Sequence, residues 1–228
     1  MFVPEQEFAD TWLVIPLYNE AEVIGDVVSE ARQTFRNIVC VDDGSSDNSG
    51  ERAREAGAYV IQHPINLGQG AALQTGITFV LERTNGQYLV TFDADGQHQV
   101  SDAAAMVEEA RQQNLSIIYG SRFLNGKAEV GSMKRLVLKT AALATRLKTG
   151  LKLTDAHNGL RLLRRDAAER IDLKQNRMAH ATEIVSQLAA TGLKWMEMPV
   201  HIRYTEYSKK KGQSLLNSVN IVVELLLG

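Results

Sequence analysis

Short apolar runs rich in β-branched residues recur along the first half of the chain, each followed by a longer amphipathic segment. The runs are TWLVIPL, NIVCVDD, AYVIQ, QYLVTFD and LSIIYGS. Runs that are apolar throughout mark strands covered on both faces, and their alternation with helical segments predicts an α/β fold around a mostly parallel central sheet. The spacing predicts helices over about 20–34, 48–57, 69–83 and 101–113. Asn19, with Glu22 three residues later, reads as the capping box of the first.

After Ser121 the alternation loosens. An amphipathic helix is predicted near 132–150, a strand at GLRLLR, a helix near 180–191 and a long strand at WMEMPVHIRY. Near the C-terminus, Leu215, Leu216, Val219, Val222, Val223 and Leu226 form a helical stripe, widened by Ile221, Leu225 and Leu227. Such a stripe packs on the sheet, on a second subunit or shallowly on a membrane.

Composition changes this picture little. With 228 residues, 44% of them apolar and 23% charged, and no linker-like or repetitive tract, the chain reads as one domain over 1–228. Within it a first part, about 10–122, is set apart from a second, about 123–228, by the loosening of the alternation. Cys40 lies inside an apolar run and is the single cysteine, which excludes an internal disulfide and fits a reducing compartment. The first ten residues carry acids and no basic region, so no secretory signal is expected, and no run of 18 apolar residues predicts a membrane span.

Charge adds more, because the net value of −2 hides an asymmetry. Lys134, Arg135, Lys139, Arg146, Lys148 and Lys152 follow one another with no acid between them, and a second basic run, SKKKGQS, spans Ser208 to Ser214. The acidic motifs lie mostly in the first half. One half therefore suits a metal and the other an anion.

Ligands of open α/β sheets bind outside the carboxyl ends of the strands, and the unusual residues collect there. The first strand runs into Pro16, Tyr18, Asn19 and Glu20, the second into Asp42, Asp43 and Asp47, the fourth into Asp93, Asp95, Gln97 and His98. Two carboxylates about 4 Å apart repel by about 4 kcal/mol at an effective dielectric of 20. A hard divalent cation relieves this, and oxygen ligands favour Mg²⁺ or Mn²⁺, with Gln97 or His98 as a further candidate ligand. The alternative reading of Asp-x-Asp-Gly, a haloacid-dehalogenase-type nucleophile loop, fits poorly. That loop typically continues with threonine or a similar residue where Gln97 stands, and its supporting acids lie downstream, whereas Asp42 and Asp43 lie upstream. Gly68 and Gly70 precede a helix without forming a Walker loop or G-x-G-x-x-G. They serve either the approach of a ligand or the packing of the helix start.

VIPLYNE, VDDGSSDNS, NLGQGAALQTGI, FDADGQH, GSRF and TDAHNGLRLLRR stand in the order and spacing of family 2 glycosyltransferases with the GT-A fold. More narrowly the chain resembles the dolichol- and polyprenyl-phosphate sugar synthases, from about Leu13 to Ser214. The resemblance implies inverting transfer of a sugar from a nucleotide donor, GDP- or UDP-linked, with Mg²⁺ or Mn²⁺. It implies that Pro16, Tyr18, Glu20 and Asp43 surround base and ribose, that Asp93 and Asp95, flanking Ala94, hold the metal on the diphosphate with Gln97 assisting, and that Arg122 and Asp155 face the acceptor.

A lipid phosphate acceptor is already ionised, so positioning by cations dominates, and Arg122, Lys134, Arg135, Lys209, Lys211 and Ser214 are the candidates to grip it. A hydroxyl acceptor would instead need a carboxylate base, with Asp155 or Glu183 as candidates. A third reading is a non-catalytic nucleotide-sugar-binding subunit. Expected partners are the nucleotide sugar, a polyprenyl phosphate and a membrane surface, with a homo-oligomer open and no nucleic acid. The expected location is the cytoplasm, peripheral to the inner face of the cytoplasmic membrane. The chain departs from the family pattern at Gln69, at Gln99 to Asp102, and at Asn158 where the synthases often carry serine.

Overall fold

A computed structural model describes residues 8–124, 150–176, 179–203 and 207. Lys134, Arg135, Lys209, Lys211 and Ser214, the helix predicted near 132–150 and the C-terminal stripe lie outside the described residues. Among the described residues seven strands form one sheet: β1 (Thr11–Leu17), β2 (Asn37–Asp42), β3 (Tyr59–Gln62), β4 (Tyr88–Thr91), β5 (Ile117–Ser121), β6 (Arg161–Arg164) and β7 (Trp195–Pro199). The helices are α1 (Ile24–Ala31), α2 (Ser49–Glu55), α3 (Gln69–Arg83), α4 (Val100–Gln113), α5 (Arg165–Ala168) and α6 (His180–Ala190).

The strand order is β3-β2-β1-β4-β6-β5-β7. Every pairing is parallel except those of β6, which runs antiparallel between β4 and β5. This reversal matters for the site: the turn that leads into β6 falls on the same edge as the carboxyl ends of β4 and β5. Periodicity alone gave GLRLLR as a strand without its direction.

Successive residues of a strand face opposite sides, and here both sides are covered. Leu13, Ile15, Ile38, Cys40 and Val90 pack with α1 and α4 on one face. Val14, Val39, Val41 and Leu89 pack with α3 and α6 on the other. In α1 the buried positions are Ile24, Val27, Val28 and Ala31, a stripe at helical spacing. Burial pushes the Cys40 thiol up to about 12, so this cysteine is core and not nucleophile.

The start of α1 differs from the capping-box expectation. Asn19 takes a left-handed conformation, φ 52°, and the helix begins at Ile24 without a side-chain cap. The reason is competition from the next loop. Asn19 Oδ1 accepts the Ser46 N–H at 2.9 Å. The Glu20 N–H donates to Ser49 Oγ at 2.8 Å and the Ala21 N–H to Asp47 Oδ2 at 3.2 Å. The strand ends of β1 and β2 are thereby tied to each other.

Beyond β7 the chain crosses the carboxyl end of β4. His98 and Ile202 form a single antiparallel bridge, and the Arg203 N–H donates to Gln97 O at 2.8 Å. His201 meets Asp102 at 3.0 Å, and Arg203 grips both oxygens of Glu30 at 2.9 Å. The long strand expected at WMEMPVHIRY is thus a five-residue strand followed by a strap.

Candidate active site

A cleft of about 570 Å³ opens at the carboxyl edge of the sheet, lined by Pro16, Leu17, Tyr18, Glu20, Asp43, Asn66, Gly68, Gln69, Ala72, Asp93, Ala94 and Asp95. All seven residues expected around the nucleotide line it. They arrive from three strand ends, and the loop before α3 adds Asn66 and Gly68.

Asp43 builds one wall. Its Oδ1 accepts the Leu67 N–H at 2.9 Å and its Oδ2 the Gly68 N–H at 2.7 Å. His63 Nδ1 lies 2.8 Å from the same carboxylate, and His63 Nε2 lies 3.0 Å from Thr75 Oγ1 on α3. The buried imidazole therefore links the end of β2 to α3 and fixes the 66–68 loop beside the cleft. Gly70, the second residue of α3, serves packing: a methyl there would overlap Gln175 O and the His180 side chain.

Glu20 is buried, and the Tyr207 hydroxyl donates to its Oε2 at 2.5 Å. Across the cleft, Asp93 Oδ2 lies 2.8 Å from His98 Nε2, and Asp93 Oδ1 accepts a long hydrogen bond from Gln69 at 3.4 Å. Burial works to raise the Asp93 carboxyl, but the His98 ring, the Arg161 guanidinium and the His180 ring outweigh it, and Asp93 lies below its ordinary value. Asp95 is pushed up to about 6, first by burial and next by the charge of Asp93. Its Oδ1 accepts the Gln97 N–H at 3.0 Å.

Two carboxylates with split proton affinity and one already ionised form a fitting oxygen donor set for a hard dication. Among the described residues no group of three or more His, Cys, Asp or Glu side chains is arranged to hold a metal ion. The protein thus offers a pair, which matches the way Mg²⁺ is commonly held by one or two carboxylates together with phosphate oxygens and water. His98 is committed to Asp93, which leaves Gln97 as the adjacent side chain for a further contact.

The turn into β6 carries Thr154, Asp155, His157, Asn158 and Gly159. Asp155 is buried and grips Arg122 at two points, Oδ2 to Nε at 2.6 Å and Oδ1 to Nη2 at 2.7 Å, while the Arg122 N–H donates to Oδ2 at 3.1 Å. Both expected acceptor-side residues therefore meet, as an ion pair. A carboxylate held this way orients a guanidinium and is poorly placed to remove a proton. Glu183 does not join them. Its oxygens accept the N–H groups of Lys174 at 3.0 Å and Gln175 at 2.8 Å, clamping the segment before α6.

Three residues not singled out from the sequence complete the arrangement. Arg161 is buried at the start of β6 and donates to Ala156 O at 3.3 Å. Burial lowers its proton affinity, and the carboxylates of Asp93 and Asp155 oppose this. Its signal was available, as an arginine between the leucines of GLRLLR. His157 is pushed down to about 4 by burial and by Arg161, so its ring is neutral at neutral pH. Glu197 on β7 accepts the Thr154 N–H at 2.8 Å and the Asp155 N–H at 3.2 Å. Its carboxyl is raised, chiefly by burial.

The chain is similar to known proteins along most of its length. Residues 12–172 match the model of glycosyl transferase family 2. The chain is 30% identical over 95% of its length to the UDP-N-acetylglucosamine-dolichyl-phosphate N-acetylglucosaminyltransferase of Methanococcus voltae, covering 94% of that protein. It is 30% identical over 92% of its length to the polyprenol monophosphomannose synthase of Mycolicibacterium smegmatis, covering 82% of it. Glucosyl-3-phosphoglycerate synthase from Mycobacterium tuberculosis, solved with Mn²⁺, UDP and glucosyl-3-phosphoglycerate, shares the fold with a TM-score of 0.66 at 16% identity, over 99% of this chain and 83% of that one. The matched model covers most of the chain and both relatives are 30% identical over more than nine-tenths of it, so the chain belongs to glycosyl transferase family 2 and is a glycosyltransferase of the GT-A fold.

Proposed function

We propose that this protein transfers a sugar, with inversion, from a nucleotide sugar to a polyprenyl phosphate at a membrane surface, using Mg²⁺ or Mn²⁺. The observation that carries the proposal is the meeting of two chemistries on one sheet edge. The carboxylate pair Asp93 and Asp95 lines the cleft, and the oriented Arg122 guanidinium stands at the end of β5, one antiparallel strand away. The two relatives at 30% identity, both named as dolichyl- or polyprenyl-phosphate enzymes, support the acceptor class.

In this reading Pro16, Tyr18, Glu20 and Asp43 surround base and ribose, and Asp93 and Asp95 hold the cation, with Gln97 beside them. When bound, the cation supplies charge stabilisation to the departing diphosphate. The residues of the chain do the rest by placement. Asp43 and His63 fix the 66–68 loop, Gly159 lets the Asp93 carboxylate seat closely, and Arg122 directs N–H donors at an acceptor oxygen that needs no deprotonation. Among the described residues no helix is long and apolar enough to cross a membrane. Lys134, Arg135, Lys209, Lys211 and Ser214 are proposed as further contacts to the acceptor phosphate or membrane surface.

The test is incubation with labelled UDP- and GDP-sugars, Mn²⁺ or Mg²⁺ and a polyprenyl phosphate, followed by organic extraction. A lipid-linked labelled product is expected with one donor. Transfer to a saccharide with no extractable product would sink the lipid-phosphate reading.

A further inference from the structure

The Asp155–Arg122 pair rests on a third residue. Glu197 lies on β7, opposite Tyr119 in the parallel register with β5. A single oxygen, Oε1, accepts the Thr154 N–H at 2.8 Å, the Thr154 hydroxyl at 3.1 Å and the Asp155 N–H at 3.2 Å. Thr154 Oγ1 in turn lies 2.6 Å from Ser121 Oγ, which accepts the Phe123 N–H at 3.2 Å. The network therefore reaches the residues on both sides of Arg122. Arg122 itself is held along its backbone N–H, Nε and Nη2 by Asp155, with its guanidinium 5.7 Å from the Phe123 ring centroid.

We propose that Glu197 is a positioning residue for the acceptor: it gathers the 154–155 turn so that Asp155 presents Arg122 in one fixed orientation. The chemistry accounts for the residue type. Two backbone N–H groups and a hydroxyl converge on one point, and only an acceptor with lone pairs to spare satisfies them. The shape accounts for the strand, since β7 pairs with β5 and so travels with Arg122 while the 154–155 turn belongs to a different segment. An ion pair between Asp155 and Arg122 is neutral, so its contribution to an anionic acceptor is direction, and direction fails when the turn is loose. A misplacement of about 1 Å can lower turnover by about a hundredfold.

The inference rests on the proposed acceptor role of Arg122, and its test keeps the two separable. Three variants are compared: Glu197→Ala, Glu197→Gln and Glu197→Asp. In Glu197→Ala the KM for polyprenyl phosphate is expected to rise about tenfold or more, with the nucleotide-induced rise in melting temperature unchanged. Glu197→Gln keeps an oxygen in the same place and is expected to restore most of the activity. Glu197→Asp keeps the charge but is shorter, and is expected to fall between them, which preserves the test if the alanine variant does not fold.

A second readout needs no acceptor. The ¹⁵N-labelled Arg122 Nε–H, assigned by its loss in Arg122→Lys, is expected to exchange slowly in the wild type, about tenfold faster in Glu197→Ala, and slowly again in Glu197→Gln. Unchanged exchange in both the Ala and Asp variants overturns the inference, as does a KM for the acceptor within twofold of wild type. If the wild type turns over no lipid phosphate, the proposed acceptor fails while the exchange measurement still decides the role of Glu197.

Discussion

Arg122 and Asp155 lie 33 residues apart in sequence and close into a two-point ion pair, Nε to Oδ2 at 2.6 Å and Nη2 to Oδ1 at 2.7 Å, with the Asp155 side chain only 1% exposed. Removing one partner of a buried pair strands the other charge and costs about 3–5 kcal/mol. Arg122→Ala is therefore expected to unfold at clearly lower urea concentration than the wild type. Arg122→Lys keeps the charge without the planar two-point grip and is expected to recover only part of the loss.

Asp155→Asn separates orientation from base catalysis. Loss of a general base lowers kcat by about 10²–10⁴. Loss of orientation raises the KM for the acceptor while kcat falls less. The second pattern is expected, because both Asp155 oxygens already accept hydrogen bonds from Arg122. Steady-state kinetics over a range of acceptor concentrations decides it.

The proton on Asp95 sets a pH dependence. A group raised to about 6 in the folded protein is protonated below that value and ionised above it. A cation must displace this proton, so its affinity is expected to rise as pH increases through about 6 and to level off above it. Titrating Mn²⁺ by calorimetry from pH 5 to 8, in buffers of different ionisation enthalpy, should show proton release that fades toward the upper end. Asp95→Asn should abolish both the proton release and the metal-dependent stabilisation by UDP or GDP. Stabilisation by nucleotide that persists with EDTA and in the variant would remove the carboxylate pair from the site.

Much of this site was legible in the sequence because its residues sit at strand ends, and strand ends are where apolar runs stop. That logic placed Pro16, Glu20, Asp43, Asp93 and Asp95 on one edge, and all of them line one cleft. What it could not supply was direction and long-range pairing. The antiparallel sense of β6 decides that Asp155 meets Arg122, and nothing local to RLLR encodes it. The Asn19 capping box failed for a related reason: Asp47 of the next loop and Ser49 at the start of α2 took the N–H groups that a local cap would have served. Glu183 was a candidate base in the sequence, yet the N–H groups of Lys174 and Gln175 claim it once α6 is in place.

His63 offers a test of how the nucleotide wall is held. Its ring spans Asp43 on one side, at 2.8 Å, and Thr75 on the other, at 3.0 Å, and the residue is buried. His63→Ala takes their shared partner from the buried Asp43 carboxylate and the half-buried Thr75 hydroxyl, a loss of about 1–3 kcal/mol. The Asp43 carboxylate still accepts the N–H groups of Leu67 and Gly68, so the loop is expected to loosen without detaching. The expected result is lower thermal stability together with a severalfold weaker nucleotide affinity, read by calorimetry. Unchanged nucleotide affinity would restrict His63 to a packing role.

Gly159 provides the sharpest steric test of the carboxylate pair. A methyl group at Gly159 would overlap the Asp93 carboxylate, whereas one at Gly25 in α1 meets nothing within 4 Å. Gly159 has no left-handed backbone to preserve, so the alanine acts through space and not through strain. Gly159→Ala is expected to push the Asp93 carboxylate from its seat beside His98, with an overpacking cost of about 1–3 kcal/mol. Gly25→Ala is the matched control, expected to raise stability by up to about 1 kcal/mol through helix propensity alone. Mn²⁺-dependent nucleotide binding should drop severalfold in the first variant and stay at the wild-type level in the second. If Gly159→Ala loses stability yet binds Mn²⁺ and nucleotide as the wild type does, Asp93 can shift without consequence, and the cation must depend on Asp95 and Gln97 instead.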